Sequence, residues 1–177
     1  MVDANHAYSR REALSLARAI EEHDIAWFEE PLSPDDYEGY RWLRQGTTIP
    51  LAAGECECLR AGFRRLLENE CVDVVQPDLC HAGGITETKK ILDMAQAFGV
   101  EYAPHCWGSA VGLAAAVHLL ANWDTDGPGA GIAPPFNNAD VLDFLEMLAQ
   151  WGPGPQQAGD GSLDSLAFGV AHNADAE

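Results

Sequence analysis

The sequence is short of positive charge. Its 177 residues carry 10 lysines and arginines against 28 aspartates and glutamates, a formal net charge of −18 with histidines neutral. Such a surface repels phosphate backbones and anionic lipid. The densest basic runs, Arg10-Arg11, Arg64-Arg65 and Lys89-Lys90, are each flanked by acids. Nucleic acid is therefore not expected as a partner. Long apolar runs are also missing: no stretch approaches the roughly 18 residues of a membrane span, and the N-terminus lacks the basic and apolar regions of a signal peptide. No membrane association is expected, and the protein reads as soluble and cytoplasmic. Five cysteines, Cys56, Cys58, Cys71, Cys80 and Cys106, show no framework spacing, which suits a reducing compartment better than a disulfide scaffold.

What the sequence does have is a rhythm of short apolar runs, each ending in a polar residue and followed by an amphipathic stretch. Val2-Asp3 precedes a helical pattern from Ser9 to His23. Ile25 to Glu29 precedes one carrying Tyr37, Tyr40 and Leu43, with Asp35 or Asp36 as its N-cap. Ile49 to Glu55 precedes one carrying Phe63, Leu66 and Leu67. Val72 to Asp78 precedes a helix from about Thr86 to Phe98, which Gly99 is placed to end, and Val100 to His105 precedes an alanine-rich helix from Ser109 to Ala121. The residues closing the runs, Asp3, Glu29, Glu55, Asp78 and His105, lie 26, 26, 23 and 27 positions apart. That interval suits both a (β/α)8 barrel and a doubly wound α/β sheet. The chemistry at the beats favours the barrel, because five titratable groups would gather at the C-terminal ends of its parallel strands.

Beyond Asn122 the pattern fades. Residues 124–139 are rich in glycine and proline and read as a loop. Asp140 to Met147 fits a sixth strand or a short helix, and the rest reads as a poorly ordered tail. The expected division is an incomplete barrel over 1–147 and a partly disordered tail over 148–177.

Asp3, Glu29 and Glu55 are hard oxygen donors suited to a divalent cation such as Mg²⁺. Asp78 and His105 suit a carboxylate–imidazole pair in which the acid fixes the tautomer of a general base. Trp107 follows His105 closely enough to line a pocket. Cys56-Glu57-Cys58 offers two thiols, but so close a pair needs further ligands to hold a soft metal, and a helix start explains it. Gly83-Gly84 suits either a tight turn or an anion site at a helix N-terminus. His23, His81, His118 and His172 show no partnered spacing.

The segments Val2-Asp3-Ala4-Asn5, Trp27-Phe28-Glu29-Glu30-Pro31, Gly54-Glu55, Gln76-Pro77-Asp78, Gly83-Gly84-Ile85 and Pro104-His105-Cys106-Trp107-Gly108-Ser109 closely resemble, in order, the mandelate racemase and muconate lactonizing enzyme subgroup of the enolase superfamily. The resemblance implies a partial (β/α)8 barrel that starts at the family's third strand, without the N-terminal capping domain or the Lys-x-Lys base motif. It implies Mg²⁺ on Asp3, Glu29 and Glu55, with Glu29 rather than Glu30 as ligand, and His105 with Asp78 as the acid/base dyad. Asn5 and His6 match positions that face the metal or the substrate. Asp143 is the nearest match to an acid that binds the substrate carboxylate, with Glu146 as the fallback. The implied reaction removes the proton α to the carboxylate of a sugar acid and, through an enediolate, dehydrates it to a 2-keto-3-deoxy acid. Epimerisation or cycloisomerisation by the same site, or a catalytically silent fragment, are the alternatives. The open edges of a partial barrel lead us to expect a homo-oligomer or association with a missing N-terminal portion.

Overall fold

The computed structural model describes residues 1–121. Five strand–helix units follow one another: β1 (Val2–Asp3), α1 (Arg10–Ile20), β2 (Phe28–Glu29), α2 (Tyr37–Arg44), β3 (Leu51–Ala53), α3 (Leu59–Glu68), β4 (Val74–Val75), α4 (Ile85–Phe98), β5 (Glu101–Tyr102) and α5 (Ala110–Leu120). A 3₁₀ turn, Glu21–His23, prolongs α1. The expected sixth element, Asp143, Glu146 and the boundary at residue 147 lie outside the described residues.

Local chemistry sets the helix ends. Asp36 caps α2, its carboxylate accepting from Gly39 N, and Ser109 caps α5 by accepting from Gly112 N. Glu12 reaches back from the first turn of α1 to accept from Ser9 N at 3.0 Å. Gly99 ends α4 at φ 70°, a left-handed conformation in which glycine meets no Cβ clash. The ladder is shorter than the apolar runs. Rungs occupy two or three residues of each run, and single bonds such as Val2 N to Trp27 O (3.1 Å) and Phe28 N to Pro50 O (2.8 Å) carry the flanks.

All neighbouring strands are parallel, in the order β1-β2-β3-β4-β5. This order decides what the spacing left open. A doubly wound sheet reverses direction at a switch point, whereas an unbroken sequential order with a helix after every strand is an arc of a (β/α)8 barrel.

Residues paired across parallel strands share a face. One face carries Phe28, Leu51, Ala53, Val75 and Tyr102, which join Tyr40, Leu43, Phe63, Leu66 and Ile91 of the helices in a continuous apolar core. Burying each such phenylalanine or leucine is worth about 1.5–3 kcal/mol, the main force wrapping the helices onto the sheet. The other face carries Trp27, Ala52, Val74 and Ala103 as a second, smaller cluster. It is the side a closing barrel would enclose.

Candidate metal-binding and acid/base site

Register places the acids. Asp3 pairs with Glu29, and Glu29 with Ala52, so both carboxylates rise from the face of the small cluster. Counting by twos from Val74 along β4 reaches Gln76 and Asp78, and from its partner Glu101 along β5 reaches Ala103 and His105. An isolated parallel bridge joins Asp78 to His105 beyond the strand ends. Glu55 has the opposite parity to Ala52, but Gly54 at φ 135° turns the chain before it. A Cβ on Gly54 would stand 2.9 Å from the Phe63 ring and 3.1 Å from Gln76 N, so this turn needs glycine.

Asp78 is 6% exposed. Burial alone would push its carboxyl upward, but backbone N–H groups of Trp107 and Cys80, followed by His105, outweigh it and hold the group below the ordinary aspartate value. One oxygen takes Cys80 N at 2.7 Å; the other takes Trp107 N at 3.1 Å and lies 2.9 Å from His105 Nδ1. An ionised Asp78 requires Nδ1 to donate. His105 Nε2 is thereby left for proton exchange, and it faces Glu55 Oε2 at 3.2 Å.

Two of the three candidate metal ligands are engaged with a local donor, and the third lies against the imidazole. Asp3 accepts from Asn5 N at 2.9 Å, Glu29 from the buried Trp27 indole N–H at 2.7 Å, and Glu55 faces His105. Among the described residues, the group whose potential ligand atoms all lie within 4.8 Å of one another is instead His6, Glu30 and Cys56. Glu30 follows Glu29 at φ 41°, in the left-handed region that costs a non-glycine residue energy. It is 2% exposed, and burial together with the charges of Glu55, Asp3 and Glu29 pushes its carboxyl up to about 8. Spacing does not reveal this cluster. The consecutive pair Glu29-Glu30 shows only that its two members cannot both face one side of a strand, and it does not point to His6 or Cys56.

His6 sits with Glu30, at 3.0 Å, and with Leu32 O, at 3.1 Å from Nδ1. Asn5 reaches Asp3 through its backbone. Trp107 likewise touches the site through its backbone N–H, with its side chain 84% exposed. Asp143 lies outside the described residues.

The sequence model of the enolase C-terminal domain-like family matches residues 1–153. The chain belongs to the enolase superfamily. Within it, the chain is similar to D-galactarolactone cycloisomerase of Agrobacterium fabrum, 41% identical over 126 residues, which cover 71% of this chain and 33% of that protein. It is also similar to the crystal structure of the 3,6-anhydro-D-galactonate cycloisomerase from Zobellia galactanivorans, with TM-score 0.69 and 57% identity over 70% of this chain and 35% of that one. A third enolase-superfamily relative, the L-talarate dehydratase of Polaromonas sp. JS666, was solved with Mg and L-glucarate; it shares 37% identity at TM-score 0.60, over 66% of this chain and 33% of that one. The chain thus spans about a third of the length of these relatives.

Proposed function

We propose that this chain carries the cation-binding and general acid/base part of an enzyme that removes the proton α to the carboxylate of a sugar acid and dehydrates the acid to a 2-keto-3-deoxy product. The observation that carries the reading is the Asp78–His105 pair, whose free nitrogen faces Glu55 at 3.2 Å on the same rim as Asp3 and Glu29. A base beside an all-oxygen donor set supports the reading, because hard oxygen donors suit Mg²⁺. Asp3, Glu29 and Glu55 would hold the cation, which when bound supplies positive charge to stabilise the enediolate.

The rest falls to the chain's own residues. Asp78 holds His105 in the tautomer with its proton on Nδ1. His105 Nε2 accepts the α-proton and then delivers it to the departing β-hydroxyl, so one imidazole serves both halves of the elimination. Trp107 and Asn5 border the dyad and the metal ligands, and Asp143 is kept as the acid that would bind the substrate carboxylate. We assign residues 1–147 to the barrel portion that carries these groups and 148–177 to a tail.

The test incubates the chain in deuterated buffer with Mg²⁺ and a panel of aldonic and aldaric acids. Deuterium at the α-carbon and formation of 2-keto-3-deoxy acids are the expected results, both lost in His105→Asn. Exchange with an epimer or a cyclised isomer as the product would replace dehydration by the alternative outcome. Absence of exchange with every acid would overturn the reading in favour of a catalytically silent fragment.

A further inference from the structure

We propose that His6, Glu30 and Cys56 form a second cation site, specific for a borderline divalent ion such as Zn²⁺ and separate from the oxygen ligands of the acid/base rim. Cys56 and Cys58 lack further ligands in the sequence; the fold brings two of them to Cys56. His6 Nε2 lies 3.0 Å from Glu30 Oε2 and 3.7 Å from Cys56 Sγ. Tetrahedral zinc with ordinary Zn–N, Zn–O and Zn–S lengths sets its ligand atoms roughly 3.3–3.6 Å apart. The observed separations bracket that range.

The imidazole is already oriented for the task. Its Nδ1 lies 3.1 Å from the Leu32 carbonyl, an acceptor with no proton to give, so Nδ1 carries the hydrogen and the Nε2 lone pair faces the carboxylate. A backbone carbonyl behind a histidine is the usual outer support of a metal-bound imidazole. In the metal-free chain a single proton shared between Glu30 and His6 satisfies this 3.0 Å contact, a cation can take that proton's place, and the nearby sulfur adds a soft third donor. An imidazole, a carboxylate and a thiolate together favour Zn²⁺ or Co²⁺ over Mg²⁺, which prefers oxygen. Glu30 is buried while Cys56 is exposed, so an ion has a buried anchor and a way in from solvent. On binding, the sulfur–metal bond forms as the thiol proton, and any proton shared between His6 and Glu30, passes to solvent.

The site adjoins the proposed Mg²⁺ ligands in the chain, Glu30 after Glu29 and Cys56 after Glu55, yet its readout needs no turnover. The full chain, saturated with Mg²⁺, is titrated with Co²⁺ and then Zn²⁺ alone. We expect one equivalent of Co²⁺ with thiolate-to-cobalt charge-transfer absorption, displaced by Zn²⁺. The absorption should vanish in Cys56→Ser, and His6→Gln should weaken binding by more than about tenfold. Cys58→Ser is the control, since Cys58 Sγ makes its own 3.0 Å contact with His81 Nε2; it should leave both signals unchanged. Circular dichroism verifies that each variant is folded. No thiolate–cobalt absorption in the parent chain, its persistence in Cys56→Ser, or its loss in Cys58→Ser would overturn the proposal.

Discussion

Asp78 is bound more tightly than a residue whose only task is to neutralise a histidine. Two backbone N–H groups, from Cys80 and Trp107, fix its oxygens on the loops after β4 and β5, and His105 takes what acceptor capacity is left toward it. Asp78→Asn keeps the shape but removes the charge and lets the imidazole choose its tautomer. If the dyad works as proposed, the substitution should lower kcat for α-proton exchange by about 10²–10⁴ while leaving KM near that of the parent and lowering the thermal midpoint only modestly, since the amide NH2 cannot accept the backbone N–H that one oxygen took. An equal fall in stability would instead mark Asp78 as structural. The positions of Asp3, Glu29, Asp78 and His105 were legible because a strand end recurs once per unit and polar residues close each run. The His6–Glu30–Cys56 grouping was not, since it depends on left-handed backbone at His6 (φ 63°) and Glu30 (φ 41°), which no side-chain pattern announces.

Elements are tied to one another by caps that also act as cross-links. Asp36 caps α2 and at the same time receives the Arg10 guanidinium from the start of α1, with Arg10 Nε at 2.7 Å. The hydrogen bond from Arg10, helped by the Gly39 N–H and opposed by burial, holds its carboxyl below the ordinary value of 3.8. Its stabilising contribution is therefore complete above that value and disappears as pH falls through the lower folded one. Asp36→Ala should cost about 1 kcal/mol in urea unfolding at neutral pH, and the difference from the parent should shrink in strong acid. At this scale the sequence was informative about helices, whose apolar spacing and caps are local. It left Asp35 and Asp36 as equal candidates because only the fold brings Arg10 opposite one of them. It overstated the strands, because an apolar run continues past the last rung of a ladder. The order of the sheet, a long-range property, could not be read from a period that two folds share.

Across the whole molecule, one strong charge opposes two open ladders. Among the described residues β1 is paired only with β2, and β5 only with β4, which favours edge-to-edge association. The net charge of −18 resists it. Added salt screens the repulsion. The weight-average mass in sedimentation velocity should thus rise from about 50 mM to 500 mM salt, and a mass of one chain at every ionic strength would show that the edges are covered. The Trp27 contact has a practical consequence at this level. Its indole is 6% exposed and hydrogen-bonded to Glu29, whereas the other described tryptophans, Trp42 and Trp107, are 45% and 84% exposed. Short-wavelength fluorescence from the described part of the chain therefore originates next to the Glu29 carboxylate, giving the protein an intrinsic optical gauge of whatever that carboxylate grips.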